Sequence, residues 1–273
     1  MKPELQQRII TAVVLVPLVV WCIFLAPGAW AFRGFAAAIV AIAAWEWAAM
    51  MGWTSLPLRA VYAGLVLALL GLLWWFPLVA QAQFMLYFLA VAFWLLAHRL
   101  VRAYPAKVER WADLPLLFAI GLVLLVPAWM GLTALHGKSP WWLFYLLLLV
   151  WGADTGAYFA GRAFGKTKLA PAVSPGKTLE GFLGGLALTM ALALAVSFHN
   201  GFEGRRFWAF MGLSLLTVLA SVLGDLFESM VKRRAGIKDS GAIFPGHGGA
   251  LDRIDSLTAA APVFALGFLL GGF

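Results

Sequence analysis

Asp225, Glu228, Ser229 and Lys232 stand at i, i+3, i+4 and i+7. In a helix that spacing puts all four side chains on one face. Asp252, Asp255 and Ser256 repeat the start of the pattern further along. Clustered carboxylates at two helix ends suit a hard cation such as Mg²⁺, which binds a few carboxylates and takes phosphate oxygens as its other ligands. The competing chemistry is simple ion pairing with Lys232, Arg233 or Arg253. Between the clusters runs Phe244-Pro245-Gly246-His247-Gly248-Gly249. Glycines let a backbone approach a ligand closely, and N–H groups ahead of a helix start form an anion site. Leu251–Ser256 is expected to open that helix, with Asp252 in its first turn. For His247 three roles stay open: a phosphate donor, a general acid or base, or a turn residue.

A second polar stretch, Asp154–Glu180, carries Arg162, Lys166, Lys168 and Lys177 in a Gly/Pro-rich setting. Its Ser174-Pro175-Gly176-Lys177-Thr178 imitates a nucleotide-binding P-loop. That motif needs a glycine where Pro171 stands, and the similar Gly165-Lys166-Thr167 has Ala160 at the corresponding place. Positive charge at a membrane surface explains some of these lysines. It does not explain Asp154, Thr155, Tyr158 and Glu180 at the ends of apolar runs.

The elements that must position these residues are membrane helices. Of the 273 residues 63% are hydrophobic and 12% charged, against about a quarter charged in soluble domains. Apolar runs long enough to span a bilayer fall at Ile9–Ala26, Gly34–Met51, Ala60–Phe76, Leu78–Ala97, Leu114–Leu132, Trp141–Tyr158, Gly181–Phe198, Phe207–Leu223 and Leu257–Phe273. The expected fold is therefore an all-α polytopic membrane protein of about nine spans, with two polar cytoplasmic loops forming the site. Residues 1–140 would be an N-terminal transmembrane region of about five spans. Residues 141–273 would be the catalytic membrane region, with about four spans and both motif loops. The first run is longer than the ~7–15 residues of a signal-peptide core, so a retained helix is expected although Ala29–Ala31 imitates a cleavage site. Cys22, the single cysteine, carries no disulfide information.

The net charge of +8 does not mark a nucleic-acid binder. With nine alternating spans, all but Arg33, Lys138, Arg205 and Arg206 of the 20 Lys and Arg residues fall on one side. The positive-inside rule makes that side cytoplasmic. Both polar stretches lie there and can converge. The expected location is a bacterial inner membrane with the site facing the cytoplasm.

The stretch from Asp225 to Ser256 then takes on a family likeness. Ser229-x-Val231-Lys232-Arg233-x4-Lys238-Asp239-x-Gly241-x2-Phe244-Pro245-x-His247-Gly248-Gly249-Ala250-x-Asp252-Arg253-Ile254-Asp255 resembles the signature of phosphatidate cytidylyltransferases, also called CDP-diacylglycerol synthases. Asp154-x2-Ala157-Tyr158-x2-Gly161-Arg162 and Ser174-Pro175-x-Lys177-Thr178-x-Glu180-Gly181 resemble the same family. The likeness is specific over Trp151–Ser256; before that it lies in hydropathy and length, with Glu46 the one further feature.

What the resemblance implies is a reaction in which a phosphatidate oxygen attacks the α-phosphorus of CTP and pyrophosphate leaves. It implies Mg²⁺ held by Asp225 and Asp252, and a second cation such as K⁺. Asp225, Asp252, Asp255, Lys232, Arg253 and His247 take the catalytic places. Asp154, Tyr158, Arg162, Ser174, Lys177, Thr178 and Glu180 in one stretch take substrate-binding places. Ser229, Arg233, Lys238, Asp239, Gly248 and Gly249 do so in the other. The expected partners are CTP, phosphatidate, the lipid bilayer and a second copy in a homodimer, with no nucleic acid. A CDP-alcohol phosphotransferase is disfavoured because its D-G-x2-A-R-x8-G-x3-D-x3-D pattern is absent. A CTP-dependent polyprenol kinase is disfavoured by the long signature. A transporter is disfavoured by acids gathered at one membrane face and by the lack of an inverted repeat.

Overall fold

A computed structural model describes residues 13, 16–26, 28–106, 108–244, 246 and 248–273. Among them, eight helices are long and apolar enough to cross a bilayer. They are α1 (Ala29–Met50), α2 (Leu56–Trp75), α3 (Ala80–Ala103), α4 (Leu114–Lys138), α5 (Pro140–Phe164), α6 (Leu179–His199), α7 (Gly204–Arg234) and α8 (Leu251–Gly271). Each matches one expected run. The first expected run, Ile9–Ala26, lies partly outside the described residues, which show a short apolar helix at Val16–Leu25. The molecule is an integral, multi-pass, α-helical membrane protein.

The reason for helices is the solvent. Hydrocarbon offers no partner for backbone N–H and C=O, so each span must pair its own. Twenty to 25 residues give about 30–38 Å of helix, enough for a hydrocarbon core of about 30 Å. Helix α7 differs, with 31 residues and a length of about 46 Å. It continues past its apolar part, so Asp225–Arg234 stays helical, as the one-face spacing of its polar residues requires.

Two features correct the expectation of plain polar loops. Helix α5 continues past Tyr158 to Phe164, which puts Asp154, Tyr158 and Arg162 on successive helical turns. The remainder of that stretch is a β-hairpin. Strand β1 (Lys168–Ala170) pairs antiparallel with β2 (Ser174–Thr178), with Lys168 opposite Thr178 and Ala170 opposite Ser174. Val173 at its turn is buried, and its carbonyl accepts from Arg233 Nε at 3.3 Å. That contact pins the hairpin to the end of α7.

Helices α5 and α6 touch backbone to backbone. A Cβ on Gly156 would come within 2.7 Å of the Gly184 carbonyl oxygen, the close approach that small residues permit in membranes. Helix α8 packs against α7 and also against α3 and α4. Trp47 and Tyr62 donate to the Leu117 and Phe118 carbonyls at 2.9 and 3.0 Å, joining α1 and α2 to α4. Arg234 donates to the Met50 and Ala112 carbonyls at 3.0 and 2.6 Å. The end of α7 is thereby tied to the end of α1 and the approach to α4, all on one membrane face.

Candidate active site

That face carries a cavity of about 390 Å³ between α5, α6, the hairpin and α7. Asp154, Tyr158 and Arg162 line it from α5, and Lys177 and Thr178 from β2. Phe182, Leu186, Val218 and Val222 make its other wall. The cavity is thus polar and cationic on one side and hydrocarbon on the other. Arg162 donates to the Tyr158 hydroxyl at 3.2 Å. Thr178 also caps α6, its hydroxyl accepting from Gly181 N at 3.1 Å.

Lys177 Nζ lies 2.5 Å from Asp225 Oδ2, and Ser229 donates to Asp225 Oδ1 at 3.3 Å. Asp154 and Asp255 both lie within electrostatic reach of Asp225, so three carboxylates from α5, α7 and α8 face one region. Arg253 is within reach of Asp154. These residues, far apart in sequence, are brought together as the topology requires.

The second acidic cluster is arranged differently. Lys232 Nζ sits 2.5 Å from Glu228 Oε2 and 2.6 Å from Asp252 Oδ1. Asp252 Oδ2 accepts from the backbone N–H of Ser240 at 2.9 Å and of Gly249 at 2.8 Å. Both Asp252 oxygens are therefore engaged by the protein. Behind them lies Glu46 of α1, only 5% exposed. Its Oε1 accepts from Ala250 N at 3.0 Å, and its Oε2 accepts from Leu251 N and Ser240 Oγ, each at 2.8 Å.

This changes the reading of the glycine-rich turn. The N–H of Gly249 donates to Asp252, and those of Ala250 and Leu251 just beyond the turn donate to Glu46. Gly248 has φ of 78°, and a Cβ there would stand 2.5 Å from Asp252 Oδ2. A Cβ on Gly249 would strike Ser240 Oγ and both Glu46 oxygens. The expectation that these amides hold a substrate phosphate is corrected accordingly for Gly249, whose N–H is already used. His247 and Pro245 lie outside the described residues.

Other expected site residues hold the scaffold. Glu180 accepts from the backbone N–H of Lys166 and Thr167 at 3.0–3.1 Å and closes the turn from α5 into the hairpin. Ser174 opens β2 opposite Ala170. Arg233, besides Val173, donates to the Ile237 carbonyl at 3.3 Å. Lys238 and Asp239 lie exposed on the loop. Glu46 and Ser240 were absent from the expected site. For Glu46 a signal existed, since it is the lone acid in an apolar span and such residues are functional by default. Ser240 offered none.

With this geometry in hand, comparison with known proteins is decisive. A family model described as the Cytidylyltransferase family matches residues 6–270. The chain belongs to the cytidylyltransferase family. It is 48% identical over 263 residues to the phosphatidate cytidylyltransferase of Pseudomonas aeruginosa, covering 96% of each chain. It is 41% identical to the protein of that name from Haemophilus influenzae, covering 96% of this chain and 97% of the relative. For the one from Brucella suis the identity is 36%, over 96% and 93%. The cationic wall of the cavity suits an anionic ligand such as a phosphate.

The residues also bear on a divalent cation. Among the described residues, no three His, Cys, Asp or Glu side chains gather tightly enough to hold a metal by themselves. Mg²⁺ does not need such a cage, because it keeps waters and takes one or two carboxylates plus phosphates. Asp225 fits that requirement. Its pairing is with one lysine and one long hydroxyl contact. Asp252 would have to exchange Lys232 for a metal.

Proposed function

We propose that this chain is a phosphatidate cytidylyltransferase, joining CTP and phosphatidate into CDP-diacylglycerol and pyrophosphate. The observation that carries the reading is the two-sided cavity. Its volume lies within the ~300–1,000 Å³ common for small-molecule sites. Lys177, Arg162 and Tyr158 suit phosphates, and Phe182, Leu186, Val218 and Val222 suit the glyceride end of a lipid. Set at the end of the apolar spans, it can receive a nucleotide from water and a lipid from the leaflet.

In the step proposed, a phosphate oxygen of phosphatidate bonds to the α-phosphorus of CTP. The bond from that phosphorus to the bridging oxygen breaks, and its electrons leave with pyrophosphate. Such transfers rest on positioning and charge neutralisation. The nucleophile is already ionised, so no strong base is required of His247. Lys177 and Arg162 neutralise the approaching phosphates, with Arg253 close to Asp154. Charge-assisted donors aimed at developing negative charge are worth most where water is excluded. Bound Mg²⁺ would supply further charge neutralisation at the phosphates. Asp225 would hold it with Asp255 beside it, and Asp252 would contribute by way of Lys232 or as a ligand in its place. A second cation such as K⁺ belongs to the same proposal.

The site face is proposed to be cytoplasmic and the membrane a bacterial inner membrane, supported by the basic charge on that face. A homodimer is part of the same reading and is tested by the mass of the detergent-solubilised particle. For the reaction, purified protein in detergent is given phosphatidate, CTP and Mg²⁺ and assayed for pyrophosphate. Release that needs all three is expected. Release without phosphatidate, or none at all, contradicts the proposal.

A further inference from the structure

Helix α8 brings Asp252 and Asp255 to the site, yet it begins without a cap of its own. Its N-cap residue is Ala250, which has no side-chain acceptor. The first N–H groups of a helix have no partner within it, and at a buried end each must find one. Here the partner comes from α1, on the far side of the sequence. Glu46 accepts from both Ala250 N and Leu251 N, and its negative charge meets the positive end of the helix dipole.

Glu46 does more than cap. Its Oε2 also accepts from Ser240 Oγ. Ser240 in turn grips Asp252 twice. Its N–H donates to Asp252 Oδ2 at 2.9 Å, and its hydroxyl accepts from Asp252 N at 3.3 Å. Asp252 Oδ1 then holds Lys232 at 2.6 Å. The chain of contacts runs from Glu46 through Ser240 to Asp252 and Lys232. The surrounding backbone is shaped to this carboxylate, since a Cβ on Gly241 or Gly249 would collide with it.

We infer that Glu46 is a positioning residue for cytidylyl transfer. It sets the rotation of the first turn of α8 and the register of the 240–251 loop, so that Asp252 presents Lys232, and Asp255 faces Asp225. It touches neither the cavity nor, in this arrangement, any substrate. The inference rests on the proposed function for its readout, and wild-type turnover is the control that separates the two.

The test measures CTP-dependent pyrophosphate release per folded molecule for Glu46→Ala, Glu46→Gln and Ser240→Ala, with Trp47→Phe as the comparison. Trp47 is the next residue on α1 and loses one buried hydrogen bond, to Leu117, away from the site. A displacement of about 1 Å can lower a rate about 100-fold, so Glu46→Ala is expected to lose about that much in kcat with a smaller change in KM for CTP. Glu46→Gln keeps one carbonyl acceptor and is expected to recover part of the loss. Ser240→Ala keeps the cap and the backbone N–H to Asp252 but removes the hydroxyl that joins Glu46 to Asp252 N, so a fall in kcat with near-normal melting is expected even if Glu46→Ala does not fold. Trp47→Phe should melt earlier with unchanged turnover. If Glu46→Gln and Ser240→Ala both turn over like wild type, Glu46 is only structural and the inference is overturned. If wild type itself releases no pyrophosphate, the proposed function has failed instead.

Discussion

Asp225 and Asp252 sit at opposite ends of the same polar segment, and each pairs with a lysine, yet their surroundings differ. The Asp225–Lys177 pair borders the cavity, with side chains 25% and 29% exposed. The Asp252–Lys232 pair is closed in, at 6% and 10%, and is backed by Ser240, Gly249 and Glu46. One pair can open toward a ligand by moving a single lysine. The other is set in a network of backbone and side-chain contacts. Similar residue types thus serve two purposes, one facing substrate and one fixing the frame, and the division follows from what surrounds each carboxylate.

Substitution should separate the two most strongly at Asp225. Asp225→Asn keeps the shape and removes the charge, and turnover per folded molecule should fall by about 100- to 1,000-fold, the range seen when one transition-state contact is lost. Its melting temperature should stay near that of wild type. Asp252→Asn should lose turnover and also stability, because a buried Lys232 is left with one carboxylate fewer. Equal melting of the two variants would break the distinction. The double variant should be little worse than the weaker single one, as for residues acting as a unit.

Next in size is Lys177→Ala. One charge-assisted contact is worth about 1.5–3 kcal/mol, so kcat/KM should drop about 10- to 150-fold. Arg102→Ala, at the end of α3 outside the site, should change little. Similar losses from both would mean that general surface charge governs activity.

Topology can be probed with smaller perturbations. Ala172 and Ala242 are exposed on the site face, and the native Cys22 is buried. Cysteine at either alanine should resist an impermeant thiol reagent in intact cells and react after permeabilisation. Reaction beforehand would place the site on the other side. The smallest effect is expected from Glu180→Gln, whose exposed carboxylate braces a turn. Turnover should stay within about twofold, as for most surface changes, and a large loss would move Glu180 into the substrate contacts.

Much of this arrangement is legible in the residues. Unbroken apolar runs specify the spans because hydrocarbon forces helices, and the i, i+3, i+4, i+7 spacing from Asp225 to Lys232 puts those residues on one face once α7 outruns its apolar part. What escapes is long-range or short. Glu46 and Ser240 are 194 residues apart, and no local pattern announces their contact. The hairpin at Lys168–Thr178 is too brief for alternation to show, and Pro175 and Gly176 read as loop. Helix α5 was expected to end at Tyr158 because the apolar run ends there, but small residues carry it on to Phe164. That the Gly249 N–H serves Asp252 of the next helix, and that Glu46 of α1 takes the N–H groups just beyond, depends on carboxylates that no local pattern announces.

We propose that cytidylyl transfer occurs at the cavity beside Asp225. Its most direct test is turnover per folded molecule across a Mg²⁺ titration, comparing wild type with Asp225→Asn in the presence of CTP and phosphatidate. Mg²⁺-dependent pyrophosphate release is expected in wild type, with near-complete loss in a variant that stays folded and membrane-inserted. Near-wild-type turnover with an unchanged Mg²⁺ midpoint in Asp225→Asn would contradict it.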